Sequence, residues 1–274
     1  MTAGAFLVLV SIAAAVAFLW PRWRQRRVLE EPFKPQWLEV VREALPFFER
    51  MSESEQKQLL DLVRLFLAEK TFHGCNGQVI DDTVRVAIAA QACLLLLNRA
   101  TSVFPGTRHI LVYPEAFIHE GEVEGEDGVV STFSEDRLGE SWQEGKVILS
   151  WDDVLYGLED FGDGENVVLH EFAHQLDSES GSQDGAPLLK HNDPAQWKAV
   201  MSAAYEALTE SAELDEDTLM DPYGATDPAE FFAVATETFF ECANEMALDH
   251  PALFNELKKY YCVDPRQWRV TQAS

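Results

Sequence analysis

The pattern of hydrophobic and polar residues divides the chain into four parts. Residues 2–20 form an almost uninterrupted apolar run without a charged residue. A helical period extends from about residue 52 to residue 98, and short β-favouring runs with glycine-rich polar loops occupy residues 110–151. Helical signals then return and continue to about residue 262. The pattern predicts an α+β fold that is mainly helical and contains a small β-sheet.

The apolar run is long enough to cross a bilayer as one helix. Four arginines between residues 22 and 27 follow the run instead of preceding it, which argues against a cleaved signal peptide. Basic residues favour the cytoplasmic side, so the sequence predicts a single-pass protein of the cytoplasmic membrane with its N-terminus outside. A buried helix is the alternative, but the run has no polar face. The predicted divisions are a transmembrane anchor (1–21), a basic juxtamembrane linker (22–36) and one cytoplasmic domain (37–274).

Local signals place several elements of that domain. Ser52 and Glu55 form a capping box at a helix start, and Asp193-Pro194 is typical of another. Predicted helices begin at Ser52, run from Asp82 to Asn98, from Asp193 to about Leu208 and from Pro251 to Cys262, and predicted strands are Ile110–Tyr113, Val129–Phe133 and Val147–Trp151.

Residues 170–177 read His-Glu-Phe-Ala-His-Gln-Leu-Asp and contain the pattern H-E-x-x-H. In a helix, His170 and His174 lie on one face, one turn apart, and can share a metal ion. A metal ion acidifies water, and Glu171 is placed to accept the proton as the water attacks a carbonyl. A surface helix with two solvated histidines is the alternative interpretation. The apolar residues around the motif instead predict a buried helix, in which a metal ion satisfies the polar side chains.

A third protein ligand is expected to be a carboxylate. Ser180 occupies the place of the third histidine in the elongated H-E-x-x-H-x-x-G-x-x-H pattern, which excludes that form. Downstream, Asp227 is the predicted N-cap of a helix, and Glu230 follows it by three residues. Glu230 is the best candidate ligand, although the same spacing also suits a capping box. Glu237 and Glu241 on the same helix are the alternative ligands.

The motif HEFAHQLD, followed by YGATDPAEFFAVATETFF, closely resembles the Mlc titration factor A family of gluzincin-type zinc peptidases, whose metal site is similar to that of the anthrax lethal factor protease. The resemblance runs from about residue 40 to about residue 265 and includes Ala89–Leu97, Val112–Pro114 and Ser141-Trp142. It implies a zincin-like metallopeptidase domain with aminopeptidase-like activity. It also implies binding to a transcriptional repressor of sugar uptake. The family includes soluble members, so the predicted membrane helix is a departure from it.

Carried over by matching positions, the resemblance makes His170, His174 and Glu230 the ligands of Zn²⁺. It makes Glu171 the general base and Tyr223 a hydroxyl donor to the oxyanion of the tetrahedral intermediate.

Two further features of the sequence each have two interpretations. Asp177 either orients a ligand histidine through its second nitrogen or is a solvated acid at a helix end. Zinc peptidases similar to this chain offer a sheet edge to an extended substrate, and Val147–Trp151 is the candidate strand. An ordinary core strand is the alternative.

Composition restricts the partners. The chain has 21 basic and 47 acidic residues and a net charge of −26, which disfavours direct nucleic-acid binding and favours cationic partners. The four cysteines form no C-x-x-C pair and are expected to be reduced. The acidic loop 120–127 does not match a calcium-binding loop and is interpreted as a solvated face. His73, beside a glycine, is interpreted as structural.

The sequence therefore supports two functions. The first is a zinc-dependent peptidase that hydrolyses peptide or protein substrates and also regulates sugar-uptake genes by binding a repressor. The second is a membrane-tethered protein that sequesters a regulator and has a latent or structural zinc site. Glu171 distinguishes them, because only the peptidase requires a base at this position.

Overall fold

The computed structural model describes residues 20, 23–99, 101–115 and 145–268. Residues 23–30 are helical, and the helices that follow are labelled from Pro35 onwards. They are α1 (Pro35–Ala44), α2 (Glu53–Glu69), α3 (Asp82–Leu94), α4 (Trp151–Glu159), α5 (Val167–Ser178), α6 (Pro194–Glu213), α7 (Pro228–Glu241), α8 (Ala243–Asp249) and α9 (Pro251–Tyr261). The mainly helical α+β prediction is confirmed.

Three parallel strands form the sheet in the order β1 (Thr71–Gly74), β2 (His109–Tyr113), β3 (Lys146–Ser150). Two of them confirm predicted strands, whereas β1 was missed. Trp151, predicted to end the last strand, begins α4 instead, because the Ser150 side chain caps that helix by accepting from the Asp153 N–H. The predicted strand at 129–133 and the acidic loop 120–127 lie outside the described residues.

The helix starts follow from their capping residues. The capping box of Ser52 and Glu55 is present at the start of α2. The Asp193 side chain accepts from the Gln196 N–H at the start of α6, which ends at Glu213, beyond the predicted end near Leu208. α3 ends at Leu94, four residues before the predicted end.

Helix α7 lies at the centre of the core. Every residue from Phe231 to Glu241 is buried, on all sides of the helix. Such a helix is surrounded by other elements, and α5, α6 and α9 pack against it. The site residues on α7 are therefore held by a rigid element.

The two ends of the domain also meet. The rings of Phe47 and Trp268 stack at a centroid distance of 5.2 Å and an angle of 4°. The guanidinium of Arg50 donates a hydrogen bond to the backbone carbonyl of Trp268. These contacts fasten the last described residues to the segment between α1 and α2.

The predicted single-pass membrane location is wrong. Within residues 20, 23–99, 101–115 and 145–268, no helix combines the length and apolar content needed to cross a bilayer. Of the predicted span, only Trp20 is among the described residues. The helical residues 23–30 carry three arginines and contact the folded domain, where Arg24 donates to the carbonyl of Ala68 at 3.0 Å.

Candidate metal centre

Helix α5 carries both histidines of the H-E-x-x-H motif. Asn166 starts the helix as its N-cap, and its side-chain oxygen accepts from the Leu169 N–H at 3.0 Å. One turn separates His170 from His174, as predicted, and their Nε2 atoms lie 3.2 Å apart. Both side chains are largely buried. The helix therefore presents two imidazole nitrogens to one point.

Helix α7 brings a carboxylate to the same point. Asp227 caps this helix as predicted, because its Oδ1 accepts from the N–H groups of Ala229 and Glu230 at 2.8 and 3.0 Å. Glu230 Oε2 lies 3.0 Å from His170 Nε2 and 3.4 Å from His174 Nε2. The carboxylate of Glu230 thus faces the imidazoles, whereas the capping-box interpretation placed it against its own helix start.

The donor set fits a metal ion. One ligand atom from each of His170, His174 and Glu230 lies within 4.8 Å of the others. Zinc–ligand bonds of about 2.0–2.1 Å in a tetrahedron place neighbouring ligand atoms roughly 3.3 Å apart, close to the separations found here. Two imidazoles and one carboxylate are also the protein ligands of a common class of catalytic zinc site.

Glu237 fixes the orientation of His170. Its Oε1 lies 2.7 Å from His170 Nδ1, so a proton on Nδ1 leaves the lone pair of Nε2 pointing at Glu230. Two acceptors 3.0 Å apart repel each other unless a cation or a proton lies between them. Burial lowers the pKa of His170, but hydrogen bonding and charge from Glu237, with Glu171 and Glu230, outweigh it and raise that pKa to about 9. A positive charge is therefore favoured at the point where the ligands converge.

Glu237 was predicted from the sequence as an alternative ligand. In the structure it contacts His170 Nδ1, on the opposite side of the ring from the nitrogen that faces Glu230. Its distance of seven residues from Glu230 puts both on one face of α7. That spacing was the available signal for a supporting role. The other alternative ligand, Glu241, lies one further turn along the helix and contacts Asn166.

Glu171 and Tyr223 lie close to the centre. Burial raises the pKa of Glu171, and repulsion by Glu230 and Glu237 adds to this against the attraction of His170. Tyr223 belongs to a short 3₁₀ turn, Pro222–Ala225, and its ring centroid lies 6.1 Å from that of His170. Its side chain is 55% exposed, so its hydroxyl can reach a substrate from solvent. Burial, followed by the charges of Glu230, Asp227 and Glu171, raises the pKa of Tyr223, which keeps the hydroxyl protonated.

Asp177 fits neither predicted interpretation. It is fully buried, and its Oδ2 accepts from the N–H of Gly185 at 2.8 Å. Among the described residues, His174 Nδ1 has no hydrogen-bond partner. Asp177 therefore holds the loop after α5 instead of orienting a ligand histidine.

The remaining candidates are not among the described residues whose ligand atoms converge at this centre. His73 lies on β1, and its Nε2 is 3.0 Å from Nδ1 of His109 on β2. Within the described part of the chain, none of the four cysteines forms a disulfide. Strand β3 pairs with β2 and, within the described part of the chain, with no other strand.

A helix with H-E-x-x-H packed against a helix with a converging glutamate defines a metallopeptidase-like protein. Residues 20–262 match the family described as glucose-regulated metallo-peptidase M90. The chain belongs to this family. The family implies a metal ion, and the convergence of His170, His174 and Glu230 agrees with that.

Relatives agree with this assignment. An uncharacterized protein of Synechocystis sp., slr2042, is 40% identical over 267 residues, which cover 94% of this chain and 97% of the relative. Mlc titration factor A of Salmonella agona is 32% identical over 258 residues, covering 93% and 95%. The protein of the same name from Salmonella arizonae is 31% identical over 251 residues, covering 90% and 98%. The resemblance to the Mlc titration factor A family is confirmed.

Proposed function

We propose that the protein is a zinc-dependent peptidase whose metal ion is held by His170, His174 and Glu230. The observation that carries the proposal is the convergence of two imidazole nitrogens and one carboxylate oxygen at separations of 3.0 to 3.4 Å. Membership in a metallopeptidase family supports the same chemistry.

Each residue around the ion has a part in peptide hydrolysis. Zinc, when bound, supplies a Lewis acid that polarises the carbonyl and makes water more acidic. Glu171 accepts the proton of the attacking water and passes it to the leaving amine. Tyr223 donates a hydrogen bond to the oxyanion as its charge develops. Glu237 holds His170 in the tautomer that directs Nε2 to the centre.

The substrate is expected to bind as an extended peptide. Strand β3 packs against α5 and carries the exposed side chain of Ile148, so its edge is our candidate for main-chain pairing with the substrate. We propose aminopeptidase-like cleavage as the mode of attack, which requires a free amine at the end of the substrate.

Hydrolysis of a peptide panel tests the proposal. Free-amine and N-blocked peptides are incubated with the full chain, with and without zinc, beside the variants Glu171→Gln and Glu39→Gln. Glu39 is an exposed glutamate on α1, so its variant controls for the loss of one charge. We expect zinc-dependent cleavage of free-amine peptides that survives Glu39→Gln and is lost in Glu171→Gln. A protein that binds one zinc ion and cleaves no peptide contradicts the proposal, and cleavage of blocked peptides contradicts the aminopeptidase mode.

A second candidate function is the capture of a transcriptional repressor. Several relatives that match almost the whole chain are named Mlc titration factor A, and we propose that this chain binds a repressor of the Mlc type. The test adds the purified chain to such a repressor bound to its operator DNA. Release of the DNA by both the wild type and Glu171→Gln supports capture without catalysis. A repressor that stays on the DNA at all protein concentrations contradicts it.

A further inference from the structure

Three carboxylates on α7 face two histidines on α5 and the N-cap residue of that helix. Glu230 lies against His174 and His170, Glu237 lies against His170, and Glu241 lies against Asn166. Residue numbers rise along α7 as they fall along α5, so the two helices run in opposite directions. The contacts form three successive levels between the helices, and the proposed metal centre is the first level.

The third level, Glu241 with Asn166, is buried and fully hydrogen-bonded through the Asn166 amide. Glu241 Oε1 accepts from Asn166 Nδ2 at 2.9 Å, and Glu241 Oε2 accepts from the N–H of Gly164 at 3.1 Å. Asn166 Nδ2 also donates to Gln91 Oε1 on α3 at 2.7 Å. The side chains of Glu241, Asn166 and Gln91 are at most 2% exposed. Both N–H bonds of the Asn166 amide are therefore used.

Asn166 links the second and third levels, because it bonds both Glu237 and Glu241. Its backbone N–H donates to Glu237 Oε2, while Glu237 Oε1 contacts His170 Nδ1. Its side-chain oxygen caps α5 through the N–H of Leu169. Any rotation or sliding of α5 on α7 breaks several of these bonds together.

A buried carboxylate is costly unless its contacts serve another purpose, and fixing the register between helices is the best-attested one. A slip of one residue turns an α-helix by about 100° and would carry both histidines away from Glu230. An N-cap alone does not require Glu241, because it needs one acceptor for the first helical N–H groups.

We infer that Glu241, acting through Asn166, is a positioning residue for the metal centre. It sets the register of α5 on α7, so that His170 and His174 face Glu230. The inference rests on the proposed metal site and assigns a role to residues that do not contact the ion.

Zinc affinity tests the inference without peptidase activity. Glu241→Gln keeps the size of the side chain but replaces one of its two acceptors with a donor. We expect zinc affinity, measured by competition with a chelator, to fall roughly tenfold, the lower end of what supporting residues contribute. The visible absorption bands of the cobalt-substituted protein should also shift, because they report the geometry of the ligands.

Glu256→Gln is the matched control. Glu256 on α9 is 1% exposed, and its Oε2 accepts from the amide of Asn192 at 2.8 Å, so it is also a buried carboxylate paired with an asparagine. We expect this variant to unfold at a lower temperature than the wild type while its zinc affinity and cobalt spectrum stay unchanged. Zinc affinity within twofold of wild type in Glu241→Gln overturns the inference.

Asn166→Ser keeps the test decisive where Glu241→Gln fails to fold. Serine also caps helices, so the acceptor for the Leu169 N–H is kept while the bonds to Glu241 and Gln91 are lost. The same fall in zinc affinity is expected, and an unchanged affinity and cobalt spectrum overturn the inference. A wild-type chain that binds no zinc overturns the proposed function as well, whereas equal binding by the wild type and the variants overturns this inference alone.

Discussion

The role proposed for Tyr223 depends on how its backbone and its ring are placed. The turn that carries it is fixed at both ends, because Asp221 accepts from the Tyr223 N–H at 2.7 Å and Tyr205 donates to the carbonyl of Ala225 at 3.2 Å. The ring is nevertheless half exposed beside His170. Its backbone is held while its hydroxyl remains available to a substrate.

We predict that Tyr223→Phe lowers kcat by roughly 10²–10³, the usual effect of removing one donor to an oxyanion. Zinc affinity should stay almost unchanged, because the hydroxyl is not a ligand. Steady-state kinetics and chelator competition measure the two quantities. Tyr156→Phe, which removes the hydroxyl of a similarly exposed tyrosine on α4, is the control and should retain activity. A loss of zinc from Tyr223→Phe would show that the assigned role is wrong.

At the scale of elements, the loop after α5 contacts both helices that carry the proposed ligands, α5 and α7. Asp177 at the end of α5 holds the N–H of Gly185, and Gly185 lies against Pro228, the first residue of α7. Gly185 has a φ of +74°, and a Cβ placed on it would lie 2.2 Å from the carbonyl oxygen of Pro228. Only glycine fits there without displacing the start of α7.

Gly185→Ala should therefore weaken zinc binding without touching a ligand. The displaced start of α7 carries Glu230 with it, and the strained backbone alone costs about 1–2 kcal/mol. Gly181→Ala in the same loop is the control, since its φ is +100° but no atom lies within 4 Å of the added Cβ. Thermal unfolding and chelator competition should show both variants destabilised and only Gly185→Ala weakened in zinc affinity. Equal zinc affinities in the two variants would show that Gly185 does not affect the position of Glu230.

The parts that sequence could predict are those that depend on local spacing. His170 and His174 are placed by the helical repeat, and the start of α7 is placed by Asp227 as its cap. The strand Thr71–Gly74 was missed because it is only four residues long and contains a histidine and a glycine. It becomes a strand through pairing with β2, which lies far along the chain.

The supporting contacts of the site could not be predicted for a related reason. Glu237 and Glu241 acquire their roles from the register between α5 and α7, and the sequence of neither helix specifies that register. Asp177 acquires its role from the path of a loop. The single-pass membrane prediction relied on the apolar run alone, and no helix in the described part of the chain supports it.

At the scale of the whole molecule, the metal centre joins distant parts of the chain. His170 and Glu230 are 60 residues apart in sequence. Bringing such distant residues together has an entropic cost, and an ion that binds only the folded chain offsets it.

Zinc should therefore raise the unfolding temperature in proportion to the logarithm of its concentration. At 100 times its dissociation constant, zinc adds about 2.7 kcal/mol to the free energy of unfolding. Calorimetry of metal-free and zinc-loaded protein measures the shift, and His174→Ala is the control that should lose it. An equal shift in that variant would place the bound zinc elsewhere.

Charged residues next to the turn with Trp268 also stabilise this end of the domain. Asp264 accepts from Arg266 at 2.7 Å and from Lys258 at 2.8 Å. It directly precedes the 3₁₀ turn Pro265–Trp268, which contains Arg266. Hydrogen bonding by Arg266, supported by Lys258, lowers the pKa of Asp264 to about 2. The ionised form is thus favoured by folding.

This lowered pKa predicts a stability difference that depends on pH. Compared with Asp264→Asn, the wild type should be more stable by about 2 kcal/mol above about pH 5, where Asp264 is ionised in both the folded and the unfolded chain. The difference should shrink as pH falls from about 4 towards 2, because the unfolded state then binds the proton first. Urea unfolding at several pH values measures it. Asp249→Asn, which removes an exposed carboxylate, controls for net charge, and a difference independent of pH would contradict the assignment.

The stacking of Phe47 on Trp268 has a consequence for synthesis. The two rings are separated by nearly the whole domain, so Phe47 leaves the ribosome long before its partner has been made. Until then an apolar surface near the N-terminal end of the domain stays uncovered, and such surfaces promote aggregation. Residues translated late in the domain therefore complete the packing around residues translated early in it.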